Sequence, residues 1–208
     1  ATFICFLVGY PLAYFMAKAS LKKQKIYMML LMLPMWTNLL IRTYSMMAIL
    51  DDGGVLNSIL TQLDLKTVHI VGTKGAVIFG MIYDFFPYMV LPMYTAITKI
   101  DPKLIEAAAD LGCNSRRTMM KIIIPLSASG IISGITMVFV PSISTFYISQ
   151  KLGGGTFELI GDTIERQFQS ESTYNVGAAI SLVMMILILI SLAVMNRFSD
   201  SDERGRKA

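Results

Sequence analysis

The sequence predicts an all-α integral membrane protein, and three observations carry that class. Of its 208 residues, 54% are hydrophobic and only 15% are charged, where a soluble domain has about a quarter charged. The apolar residues are gathered into five segments, at about 1–17, 26–50, 74–98, 126–149 and 174–198, each near the roughly 20 residues that cross hydrocarbon. The basic residues sit between those segments, and they favour alternate connections.

The first segment has no charged leader and is followed by no cleavage site of small residues, so it reads as a span and not as a signal peptide. It looks entered partway. Charge counting sets its direction. The connection at 18–25 holds Lys18, Lys22, Lys23 and Lys25; that at 99–125 holds Lys99, Lys103, Arg116, Arg117 and Lys121; the end of the chain holds Arg197, Arg204, Arg206 and Lys207. These thirteen stand against four, Lys66, Lys74, Lys151 and Arg166, on the connections in between. By the positive-inside rule the first group is cytoplasmic. The first segment then runs from outside to inside, and one further helix before it would give six spans. The expected domains are a transmembrane body at 1–198, carrying the cytoplasmic loop 99–125, and a cytoplasmic tail at 199–208.

Within the second segment, Asn38, Arg42 and Ser45 form a polar stripe beside Thr37 and Tyr44. Arg42 either snorkels to the interface or pairs with Asp84 of the next segment. The outer connection 51–73 opens with the turn sequence Asp51-Asp52-Gly53-Gly54. The third segment places Asp84 about ten residues, or about 15 Å, from its outer end, at a depth where a carboxylate needs a partner or an aqueous path. Pro34, Pro87, Pro92 and Pro141 are expected to break or bend their helices, as is tolerated where backbone faces protein or a cavity. Gly130 and Gly134, four apart, suit close helix packing. Gly153-Gly154-Gly155 in the connection 150–173 permits positive φ. Glu158, Asp162, Glu165 and Glu171 there form either an acidic outer rim or an ordinary solvated loop. The last segment is expected to face lipid or to pack, without chemistry.

Several functions have no residues to support them. His69 is the only histidine, which leaves no ligand set for a zinc site. Cys5 and Cys113 are expected as free thiols. No GxxxxGK[ST] loop exists to bind a nucleotide phosphate, and no nucleophile–base pair is evident. The net charge of +4 follows from membrane orientation and does not require nucleic acid.

The connection 99–125 carries the most specific signal. Asp101-Pro102 reads as an N-cap with proline at the first helical position. A helix over 102–111 would put Leu104, Ala107, Ala108 and Leu111 on one face. Gly112 would end it in the left-handed conformation. Ser115 would cap a second helical piece that carries Arg116, Arg117 and Lys121 to Pro125. By periodicity alone this could be an amphipathic interfacial helix. However, Glu106-Ala107-Ala108, Gly112, Ile122, Ile124 and Pro125 resemble, spacing included, the EAA signature of ATP-binding-cassette (ABC) importer permeases. Ile124 stands where that pattern has leucine.

The resemblance implies a type I ABC importer transmembrane domain in a bacterial cytoplasmic membrane. Glu106, Ala107, Ala108, Gly112 and Arg116 would then meet a separate ATPase dimer, which uses the ATP and magnesium; this chain would bind no cofactor itself. It also implies a second homologous permease and an extracellular or periplasmic binding protein as partners. Gly9-Tyr10-Pro11-Leu12-Ala13-Tyr14-Phe15, Trp36-Thr37-Asn38-Leu39-Leu40-Ile41-Arg42 and Phe86-Pro87-Tyr88-Met89-Val90-Leu91-Pro92 are similar to spermidine/putrescine importer permeases, the B-type subunit above all. The runner-up cargo is an inorganic anion or another small solute, and a secondary carrier is a more distant alternative.

A polycation suits the residue chemistry at Asp84. Tyr88 and Thr95 lie at i+4 and i+11 from it, and Tyr83, Phe85 and Phe86 flank it with rings that can meet a cation. Asp84, Tyr83, Tyr88, Trp36, Tyr44 and Tyr147 are therefore the candidate pathway residues. Two roles stay open for Asp84, as substrate ligand or as ion-pair partner of Arg42. Trp36 is a packing aromatic or a substrate contact. Pro141 to Tyr147, with Pro141 and Ser144 foremost, is the candidate gate.

Overall fold

The computed structural model describes residues 1–155 and 158–205. Arg206 and Lys207 of the tail, counted above, lie outside the described residues. Every regular element described is helical. The chain divides into two units, the first made of 30–85 and 140–188 (with Ala1) and the second of 2–29, 86–139 and 189–208.

The second unit begins with α1, Thr2–Lys18. Its buried residues Cys5, Gly9, Tyr10, Ala13 and Met16 recur at helical spacing, so one face packs while Phe3, Leu7 and Phe15 remain exposed. The unit continues with the first part of α2 (Leu21–Met32), which α1 reaches through an unusual joint. The Gln24 amide donates to the carbonyls of Ala17 (3.0 Å) and Ala19 (2.8 Å), and its oxygen accepts from the Tyr94 hydroxyl (3.0 Å). One side chain thus satisfies carbonyls at the end of α1 that have no helical partner.

Two elements, α3 (Leu39–Leu50) and α4 (Val55–Gln62), belong to the first unit, whereas α5 (Lys74–Thr98) runs through both. In the second unit α5 meets α9 (Ala128–Ser144). A Cβ on Gly130 would stand 2.6 Å from the Pro92 carbonyl oxygen, and one on Gly134 would stand 2.8 Å from that of Met89. These two glycines, one turn apart, let the backbones touch. Between α5 and α9 run α6 (Pro102–Asp110), α7 (Ser115–Thr118), a π-helical turn (Met119–Ile123) and α8 (Ile124–Leu126).

In the first unit, Asn57 of α4 clamps the connection 51–73. It accepts from the Val68 amide (2.9 Å) and donates to the Val68 carbonyl (3.0 Å). Two more helices, α10 (Tyr147–Leu152) and α11 (Ile160–Gln169), follow α9. On α10, Ile148 and Leu152 bury against Gly80 of α5, where an added Cβ would meet them at 3.0 and 2.4 Å. Asp162 on α11 is buried and accepts from Ser149 of α10 (2.9 Å). The chain closes with α12, Tyr174–Gly205.

The five apolar segments survive, but not as five plain helices. Both Lys74–Thr98 and Tyr174–Met195 are long and apolar enough to cross a membrane alone. The 26–50 segment is instead broken, turning by 93° between Leu21–Trp36 and Leu39–Gln62. The cause is local. Pro34 tightens the end of α2 into a 3₁₀ turn, Leu33–Trp36, and the extended Asn38 starts a new helix by accepting from the Leu40 amide (2.8 Å). The 126–149 segment is likewise interrupted: α9 ends at Ser144, three residues past Pro141, and α10 starts at Tyr147. Conversely, α5 runs unbroken through Pro87 and Pro92, so of the expected break or bend the break does not occur there. Each proline removes a single i→i−4 bond, and a 25-residue helix packed on α9 keeps the rest. The connections 51–73 and 150–173 are more ordered than foreseen, since they contain α4 and α11. Gly154 and Gly155 do adopt positive φ, at 56° and 74°. On α12, Leu182, Val183, Met185, Leu187 and Ile190 are exposed, which suits lipid contact. Neither cysteine is in a disulfide.

Candidate functional site

The loop of the second unit is a capped elbow. Asp101 accepts from the Lys103 amide at 2.9 Å, and Pro102 opens α6. At its other end Gly112 has φ 77°. The Gly112 amide bonds the Ala109 carbonyl and the Cys113 amide bonds that of Ala108, both at 2.9 Å. That pair of bonds is the Schellman arrangement, which needs a residue free to take the left-handed conformation. The next helix is capped by Asn114, whose side chain accepts from the Arg117 amide at 2.9 Å. This corrects the expectation for Ser115, which is the first helical residue. Either side chain can cap; Asn114 holds the extended backbone (φ −75°, ψ 161°) that a cap requires.

Ala108, Thr118 and Ile123 are buried and anchor the elbow to its own unit. Ser127 continues the anchorage, its hydroxyl donating to the Ile123 carbonyl (2.7 Å) and bonding the Tyr10 hydroxyl (2.9 Å). Glu106, Ala107, Gly112 and Arg116 are exposed, as are Leu104 and Leu111, the latter to 85%. The loop therefore presents an apolar and charged ridge outward from a rigid base. Behind α6 lies a cavity of about 380 Å³ bordered by Tyr14, Lys18, Gln24, Ile105 and Ile123.

The first unit holds the charged and aromatic candidates. Arg42 Nε lies 2.7 Å from Asp84 Oδ1, and the two side chains are 9% and 0% exposed. The guanidinium also donates to the Pro34 carbonyl at 3.2 Å and stands 5.9 Å from the centre of the Tyr83 ring. Arg42 thus pairs inside the protein and does not snorkel. It splints the break at 37–38 to α5. Burying both charges is tolerable only because each neutralises the other. Beside this pair is an open cavity of about 410 Å³, lined by Thr37, Ile41, Ser45, Phe79 and Tyr83 among others.

A second cluster forms where α3 faces α10. The rings of Tyr44 and Tyr147 lie 6.1 Å apart, edge to face at 77°. Lys151 Nζ is 5.1 Å from the first ring centre and 6.0 Å from the second. Lys151 was not foreseen as part of the pathway, although its i+4 spacing from Tyr147 was visible in the sequence.

The candidates are thus only partly brought together. Tyr83 joins Arg42 and Asp84, and Tyr44 joins Tyr147. Tyr88 belongs to the second unit and is exposed while Asp84 is buried, so the face drawn through Asp84, Tyr88 and Thr95 is not one environment. Trp36 ends the 3₁₀ turn and is 79% exposed; it does not pack within this chain. Pro141 and Ser144 close α9, with the Ser144 hydroxyl turned back on the Val140 carbonyl (3.1 Å). Three of the acids in the connection 150–173 are committed: Glu158 pairs with Arg166, Glu165 meets Gln150, and Asp162 is buried.

Interrupted apolar helices, a buried ion pair at mid-helix and an exposed, doubly capped loop with the EAA spacing define a polytopic membrane permease. The chain belongs to the family of binding-protein-dependent transport system inner membrane components, which it matches over residues 9–204. It is 40% identical over 201 residues to the Escherichia coli (strain K12) spermidine/putrescine transport system permease protein PotB, covering 96% of this chain and 73% of that one. The corresponding Haemophilus influenzae protein is 38% identical over 199 residues, covering 95% and 70%. Among solved structures, a bacterial alginate ABC transporter in complex with its alginate pentasaccharide-bound periplasmic protein contains a chain of the same fold. The TM-score is 0.76 at 19% identity, covering 95% of this chain and 74% of that one. The fold is that of type I ABC importer permeases.

Proposed function

We propose that this chain is one of two permease subunits of a polyamine importer, with spermidine and putrescine as cargo. The observation that carries the cargo is the 38–40% identity to spermidine/putrescine permeases along nearly the whole chain. Its tyrosines agree with that chemistry: Tyr44, Tyr83 and Tyr147 already attract cations, the chain's own Arg42 and Lys151. An inorganic anion is the weaker reading, because the guanidinium of Arg42, which could attract one, is neutralised by Asp84.

The engine is a separate ATPase dimer, using ATP and magnesium, that docks on the α6 elbow. Glu106 and Arg116 supply charge, Ala107 allows close approach, Gly112 sets the angle, and Ala108, expected at the same interface, is buried and instead seats the helix on its own unit. Movement of the elbow passes to α1 through Ser127 and Tyr10. Alternation between two states is biased by nucleotide and by the loaded periplasmic binding protein. A second, homologous permease completes the pathway. The chain lies in the bacterial cytoplasmic membrane with the elbow and C-terminus on the cytoplasmic side. Trp36 and Tyr88, exposed here, are contacts for substrate or for the second permease. Pro141 and Ser144, at the α9–α10 interruption, form the gate.

The test is ATPase stimulation of the reconstituted importer by binding protein loaded in turn with spermidine, putrescine, sulfate and amino acids. Stimulation confined to the two polyamines is expected. Stimulation by sulfate or an amino acid instead would reassign the cargo and leave the engine intact.

A further inference from the structure

Lys151 of the first unit faces aromatic rings where a carboxylate would be the usual partner. Arg42 pairs with Asp84, His69 with Asp52 and Arg166 with Glu158, but Lys151 is in none of these pairs. Its ammonium is held instead by the rings of Tyr44 and Tyr147, at 5.1 and 6.0 Å. Such ring faces attract a cation through their quadrupoles. The opposite side of α10 is fixed, by Ile148 and Leu152 against Gly80 and by the 2.9 Å bond from Ser149 to Asp162. The helix cannot easily leave, but the lysine stem can. A lysine side chain is a flexible four-carbon stem ending in a primary ammonium, the same chemical fragment as one end of 1,4-diaminobutane, which is putrescine.

We propose that Tyr44 and Tyr147 form a primary-ammonium subsite and that Lys151 is its tethered surrogate ligand. The lysine fills the pair in the absence of substrate and is displaced when a polyamine ammonium arrives. Its return then evicts the substrate. The pair can thereby select alkylammonium cargo without retaining it. This inference rests on the polyamine reading above.

The test uses the intact importer in nanodiscs, with radiolabelled putrescine retained per assembled complex measured below saturation. Lys151→Met, which keeps the stem and removes the charge, is expected to retain about fivefold more putrescine, the advantage of a site with no resident cation. Lys151→Gln serves if the methionine variant does not assemble, and Lys151→Arg should retain no more than the parent. Added n-butylammonium should compete putrescine from Lys151→Met, and Tyr44→Leu in that background should abolish the gain. Retention unchanged in both neutral variants, or a gain that survives Tyr44→Leu, overturns the subsite. An importer whose parent form takes up neither putrescine nor spermidine refutes the cargo reading itself. Normal uptake without a Lys151 effect overturns the subsite and its surrogate and leaves the cargo reading standing.

Discussion

The elbow at 101–118 is held by its own backbone, whereas the aromatic and charged cluster of the first unit is held by side chains from distant stretches of chain. In the elbow every fastening spans a few residues: Asp101 to Lys103, Gly112 to Ala109, Cys113 to Ala108, Asn114 to Arg117. In the cluster, Arg42 meets Asp84 across 42 positions and Tyr44 meets Tyr147 and Lys151 across more than a hundred. A locally fastened element keeps its shape when pushed as a unit, which suits a part that transmits force. A cluster assembled from separate helices changes shape when those helices move, which suits a part that must open and close.

Substitutions can break this contrast, beginning with the largest expected effect on stability. Asp84→Asn strands the Arg42 guanidinium in a buried site and should cost about 3–5 kcal/mol, read as lost membrane yield of assembled importer. The double variant Arg42→Met with Asp84→Leu should recover the yield. Normal assembly of Asp84→Asn with selective loss of uptake would instead make Asp84 a substrate ligand. Gly134→Leu forces a side chain against the Met89 carbonyl, costing about 1–3 kcal/mol, seen as a lower thermal midpoint in detergent. Gly112→Val at φ 77° adds about 1–2 kcal/mol of local strain. The chain should still insert, but the ATPase should fail to copurify or should turn over without transport. Gln24→Leu removes the joint between α1 and α2 and should cost about 1 kcal/mol. It sharpens the comparison, because it tests a rigid part without touching the elbow.

The same distinction explains how much the sequence disclosed. The Asp101-Pro102 start, the Gly112 stop and the Gly130/Gly134 contact follow from residue types at short spacing, and all three stand in the structure. Cap choice was harder: Asn114 and Ser115 are adjacent and both capable, and only the backbone conformation separates them. Asn38 was legible in principle as a cap before Leu39-Leu40-Ile41, but it was read as part of a polar stripe. Pro87 and Pro92 misled because breakage depends on what packs around a helix and not on the proline alone. The Arg42–Asp84 pair was one of two options, since pairing across 42 residues is a property of the fold. Lys151 could not be joined to Tyr44 from the sequence by any local rule.

The turn over Met119–Ile123 has a consequence for how a displacement of the elbow would travel. A π turn bonds i to i+5 and so carries one residue more than the α turn beside it. Between Asn114 and Ser127 the return limb accordingly holds one residue of slack. With α9 held on α5 by Gly130 and Gly134, taking up that slack would rotate the part of the limb before Ile124 by about 100° and advance it by about 1.5 Å. Such a step is a ratchet of register, and it needs neither end of the limb to unfold.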